Sequence, residues 1–168
     1  IISIWVMQIH IFGNDEKTGE KMPAPSKILP IPGEVFAIKA KTAFIILPKE
    51  ANKNKSWVWY APTLTGLPGN EEKWMIQKFL DAGIAVAGID VGESYGSPAG
   101  RALFTALYEE LVQKRGFSKT PILLARSRGG LMLYNWAAEN PTLVAGIAGV
   151  YPVCNISSYP GIETACKA

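Results

Sequence analysis

The chain has 168 residues, 48% hydrophobic and 18% charged, a balance that supports one domain with its own apolar core and excludes a disordered chain. Its 17 Lys and Arg against 14 Asp and Glu leave a net charge of +3 with the basic residues scattered, which excludes a nucleic-acid footprint. No run approaches the ~18 apolar residues of a membrane span, and a single His with two separated Cys cannot supply the three or four ligands of a metal site.

The N-terminus opens on Ile1 with an apolar stretch that has no basic leader and is broken by Gln8 and His10, so it reads as a trimmed chain rather than a signal peptide. Ile4 to Phe12, Val35 to Ile38 and Thr42 to Leu47 are rich in β-branched and aromatic residues and predict three strands, an antiparallel start. Between the first two, Asn14 to Gly33 is a surface loop of Gly, Pro, Lys and Glu. From Trp57 onward short apolar runs alternate with longer segments at helical spacing. They predict strands at Trp57 to Tyr60, Ile84 to Asp90, Ile122 to Ala125 and Val144 to Val150. The intervening helices are Glu71 to Ala82, about Ala99 to Arg115, and Arg128 to Asn140, stopped by Gly83, Gly116 and Pro141. Trp57, Trp59, Trp74 and Trp136 fall inside these elements and are expected in the core rather than on a sugar-stacking surface. Strands separated by helices specify right-handed βαβ units. The expected architecture is therefore α/β: one domain, 1–168, with a mostly parallel central sheet, helices on both faces and an antiparallel N-terminal start.

In such sheets ligands bind beyond the carboxyl ends of the strands. After Ile122-Leu123-Leu124 comes Ala125-Arg126-Ser127-Arg128-Gly129-Gly130, a serine at a strand-to-helix turn with small residues two before and two after it. That is what a nucleophile elbow requires, because the turn leaves no room for large flanking side chains. The Ser127 hydroxyl would stand at a helix N-terminus, where free N–H groups and the helix dipole favour a developing oxyanion. The N–H of Arg128 is the first expected donor, and Thr63 or Leu64, in the loop after Tyr60, supplies the second. Glu93 and Tyr95, in the loop after Asp90, are expected to touch substrate, and Arg126 to favour an acidic one; the bland reading pairs both arginines with carboxylates such as Glu93. Asp90 is expected to hydrogen-bond structurally and His10 to lie away from the site. Cys154 and Cys166 are open to either a short disulfide or two thiols.

Gly88-Ile89-Asp90-Val91, Tyr95-Gly96-Ser97-Pro98, Ser127-Arg128-Gly129-Gly130 and Tyr134-Asn135-Trp136-Ala137-Ala138 carry a resemblance that runs from about Lys41 to Ile162. Over this stretch the chain resembles the α/β-hydrolase superfamily, in the esterase and peptidase-like branch related to dienelactone hydrolases and prolyl oligopeptidases. The resemblance implies acyl transfer to a serine activated by a histidine, which a carboxylate orients, in the chain order Ser, Asp or Glu, His. It implies a small-molecule ester substrate and no cofactor. Two departures stand out. Ala125 occupies the position of the commonest elbow glycine, and after Ser127 there is no Asp and no His, only Glu139 and Glu163. The resemblance places the acid and histidine beyond Ala168, so the chain reads as the N-terminal part of a hydrolase whose downstream segment supplies both. A catalytically inactive binding or structural module, and a serine peptidase of the same fold, are the alternative readings.

Overall fold

A computed structural model describes residues 25–167. The expected strand Ile4 to Phe12, with His10, lies outside them. The described chain runs β1 (Glu34–Ile38), β2 (Lys41–Ile46), β3 (Trp57–Ala61), α1 (Lys73–Asp81), β4 (Ala85–Ile89), α2 (Pro98–Glu109), β5 (Ile122–Arg126), α3 (Gly129–Glu139), β6 (Gly146–Val150) and α4 (Ile162–Ala165). The sheet order is β1-β2-β4-β3-β5-β6. β1 and β2 pair antiparallel, as do β2 and β4, while β3, β4, β5 and β6 are mutually parallel. The mostly parallel sheet with an antiparallel start thus stands as expected.

Alternation along the strands sends each side chain to one of two cores. Trp57, Trp59, Ala85, Ala87, Leu123 and Ala125 face α2 and α3, where Phe104, Leu107, Leu133 and Trp136 meet them. Val58, Tyr60, Val86 and Leu124 face the other way, onto Ile76 of α1. Topology explains the split. The chain moves from β3 to β4 in one direction across the sheet, but from β4 to β5 and from β5 to β6 in the other. Crossovers of one hand therefore place α1 on one face and α2 with α3 on the opposite one.

Local chemistry sets the helix ends. The Gly69 N–H donates to Glu72 Oε2 at 2.7 Å in a short 3₁₀ turn, Asn70–Glu72, that leads into α1. Gly83, at φ +74, closes α1: its N–H reaches the Leu80 carbonyl and the Ile84 N–H the Phe79 carbonyl, the paired bonds of a Schellman stop. Pro98 opens α2 at the first helical position, where the N–H that proline lacks would have no intrahelical partner. A π-helical turn, Glu110–Lys114, continues α2 to the expected end near Arg115. No helix of the described residues is long and apolar enough to cross a membrane.

Three expectations are corrected. Trp74 is 72% exposed, because α1 turns only Ile76 fully inward and leaves the indole beside Lys78. The last strand begins at Gly146 rather than Val144, since Pro141–Leu143 form a 3₁₀ turn first. That strand is also not covered on both faces: Ile147, Ala148 and Gly149 are exposed at the sheet edge. Cys154 and Cys166 are both free, exposed thiols.

Candidate active site

β3 and β5 are parallel neighbours, in register Ala61↔Ala125. Their onward connections run to opposite faces of the sheet, so a crevice opens beyond their carboxyl ends. Ser127 follows β5 directly, and Arg128 separates it from α3. The Ser127 backbone is left-handed, φ +49, a conformation that costs energy in any residue with a Cβ. Three hydrogen bonds hold it there. Its N–H donates to the Val150 carbonyl at 3.0 Å, and its carbonyl accepts from the Gly130 N–H at 3.0 Å and the Val153 N–H at 2.8 Å. A Cβ at Gly129 would collide with the Ala61 carbonyl and one at Gly130 with the Val153 carbonyl, so close backbone approach on both sides of the turn requires glycine. The Arg128 N–H, at the start of α3, meets no backbone acceptor among the described residues.

The two arginines beside Ser127 have different surroundings. Arg126 Nε donates to Tyr151 Oη at 2.7 Å, Nη2 donates to Glu71 Oε2 at 3.1 Å, and Nη1 pairs with Glu72 Oε1. Glu72 is 3% exposed. The Tyr60 hydroxyl is buried next to this pair without a hydrogen bond of normal geometry. Its burial first, and the Glu72 carboxylate second, push its pKa far above the usual tyrosine range. Nε, Nη1 and Nη2 of Arg126 thus each donate within the protein.

Arg128 pairs with Glu93, whose side chain is 39% exposed, and its guanidinium lies 5.5 Å from the centre of the Tyr159 ring. Tyr95, at φ +46, meets the same ring edge-on at 6.0 Å. Glu93 and Tyr95 thus reach the end of the sheet that carries Ser127, as parts of one cluster with Arg128 and Tyr159. Asp90 accepts the Gly92 N–H at 2.9 Å, the structural hydrogen bond expected of it.

The loop after β3 carries Thr63 and Leu64. Thr63 is 3% exposed, and its hydroxyl has no partner among the described residues. The carbonyls of Thr63 and Leu64 accept from Lys27 Nζ at 2.9 and 3.1 Å. The Leu64 carbonyl also takes the Leu67 N–H at 2.9 Å, closing a turn with Gly66 at φ +79. Burial lowers the Lys27 pKa from its ordinary value, and the Asp90 carboxylate opposes that shift.

No protein-family model matches this chain, and no curated protein matches it in sequence. Solved structures do match. A lipase/esterase from Lactobacillus plantarum aligns with a TM-score of 0.58 at 16% identity, over 81% of this chain and 66% of that one. An acetyl xylan esterase from Aspergillus awamori aligns with a TM-score of 0.53 at 15% identity, over 73% and 55%. Est1E from Butyrivibrio proteoclasticus aligns with a TM-score of 0.53 at 16% identity, over 71% and 51%. The chain has the α/β-hydrolase fold. It spans less than two thirds of the length of each of these three chains.

Within this α/β-hydrolase fold, four residues beside the site have little or no signature in the sequence: Lys27, Glu72, Tyr151 and Tyr159. Only Glu72 carried a signal, the capping spacing Gly69-x-x-Glu72 before a helix. Lys27 sits in what reads as a featureless loop, and the two tyrosines reach the site through the chain's path after β6.

Proposed function

We propose that this α/β-hydrolase-fold chain belongs to a serine hydrolase of carboxylic esters with Ser127 as its nucleophile. The observation that carries this reading is the left-handed turn at Ser127, which sets a hydroxyl between a strand end and a helix start. The esterases among the similar solved structures support the ester class.

The steps follow from that placement. Ser127 Oγ attacks the ester carbonyl and gives its proton to a base. The tetrahedral oxyanion accepts from the Arg128 N–H and from a second donor in the loop after β3. The alkoxide leaves with a proton, and water then releases the acid from the acyl-enzyme. The base that the resemblance implies is an imidazole oriented by a carboxylate; between Ser127 and Ala168 there is no His and no Asp to fill those roles.

A fluorophosphonate tests this reading. In the full-length protein it should label Ser127, located by peptide mass mapping, and the label should vanish in Ser127→Ala. Labelling absent or elsewhere would refute the nucleophile and favour a non-catalytic module. The 168-residue chain by itself should turn over an activated ester only at the residual level that binding and an oxyanion hole sustain.

A further inference from the structure

We propose that Lys27 is a positioning residue for the oxyanion site, its ammonium holding two consecutive carbonyls so that the amides of Leu64 and Thr65 face the carbonyl oxygen of an ester seated above Ser127. The proposal rests on the serine-hydrolase reading and extends it to a residue far from the elbow in sequence.

Geometry carries it. In a trans peptide the C=O of one residue and the N–H of the next point in opposite directions. The cis peptides of the described chain are Ala61-Pro62, Leu67-Pro68 and Tyr159-Pro160, so the Thr63-Leu64 and Leu64-Thr65 bonds are trans. Both of their carbonyls turn to one ammonium, at 2.9 and 3.1 Å. Their N–H groups, on Leu64 and Thr65, therefore turn away from it.

The sheet order says what lies on each side. Lys27 lines a cavity of about 480 Å³ with Thr42, Thr65 and Asp90. Thr42 belongs to β2 and Asp90 follows β4, so the ammonium sits over the β2–β4 side of the loop. β5, with Ser127 at its end, neighbours β3 on the other side. The side away from Lys27 is thus the side of Ser127. Neither amide has a backbone acceptor among the described residues, and with Leu64 half-buried and Thr65 exposed both are open to solvent or a ligand. The second donor accordingly moves from Thr63 or Leu64 to Leu64 or Thr65.

The reason for using a side chain here is that the loop lacks a ladder. Leu64 is fixed from within by the Leu67 N–H alone, and oxyanion donors lose their effect when they must reorient during reaction. A cation shared by two carbonyls sets two peptide planes at once.

The test uses the full-length protein with Lys27→Met and Lys27→Arg, and two readouts. In Lys27→Met, hydrogen exchange of the Leu64, Thr65 and Leu67 amides should speed up about tenfold, with β3 and β5 unchanged. Fluorophosphonate labelling of Ser127 should slow about tenfold in its maximal rate, with the half-saturating probe concentration unchanged. Lys27→Arg, which keeps a two-pronged donor, should recover most of both. Unchanged exchange in Lys27→Met overturns the clamp. Faster exchange with an unchanged labelling rate overturns its service to Ser127. No labelling of the unmutated protein removes the serine-hydrolase reading and the oxyanion role with it, while the exchange result still decides whether Lys27 holds the loop.

Discussion

Arg126 and Arg128 stand one residue to either side of Ser127, carry the same charge and each face a carboxylate, yet they do different things. The guanidinium of Arg126 reaches a glutamate that is 3% exposed, and it gathers Glu71 and Tyr151 around itself as well. Arg128 meets Glu93, 39% exposed, at the rim. Burial of the partner decides the outcome: a charge pair in water is worth little, whereas a buried carboxylate cannot be left without its cation. The first arginine ties the entry to α1 to the end of β5. The second is paired at the rim, with Glu93 and the face of Tyr159.

The largest effect should come from breaking the buried side. Arg126→Met leaves Glu72 without its cation, its Oε2 still accepting from the Gly69 N–H. Removing one partner of a buried pair costs about 3 kcal/mol, and urea unfolding should show it as a lowered midpoint with an unchanged slope. The double variant Arg126→Met with Glu72→Gln should recover part of that loss, because the stranded charge is gone. A loss below about 0.5 kcal/mol in Arg126→Met would put this arginine in the same class as Arg128.

Between the two arginines, the turn itself stores strain. A left-handed backbone costs a residue with a Cβ about 1 kcal/mol, and glycine almost nothing. Ser127→Gly should therefore be about 1 kcal/mol more stable than Ser127→Ala in paired thermal melts, with both inactive. Equal stabilities would mean that the turn relaxes once the serine is replaced, and that its strain does not depend on the anchoring around Arg126.

The same contrast marks how far the sequence could be read. Strands with β-branched and aromatic runs, glycine stops and the Ala125 to Gly130 turn are local signals, and local chemistry fixed their outcome. Gly129 and Gly130 were readable because close backbone approach admits no other residue. Arg126 and Arg128 looked alike because what separates them is the burial of Glu72 and the exposure of Glu93, and both partners are more than thirty positions distant. Trp74 misled for a related reason. A helix packed on a sheet buries one stripe, and in α1 that stripe falls on Ile76, two residues on. Lys27 was invisible because its role depends on two carbonyls, which carry no side-chain identity at all.

The smallest effect should lie on the exposed side. A double-mutant cycle over Arg128→Ala and Glu93→Ala should give a coupling below about 0.5 kcal/mol at low salt, since two half-exposed partners gain little over solvation. It should fall toward zero in 1 M salt, where screening acts within about 3 Å. The Arg126–Glu72 coupling, measured in the same salt series, should stay nearly constant, because water and ions do not reach Glu72. Parallel salt curves for the two cycles would erase the distinction between the arginines. Divergent curves would place the boundary between scaffold and rim at Ser127 itself, with one neighbour held by the core and the other by the solvent.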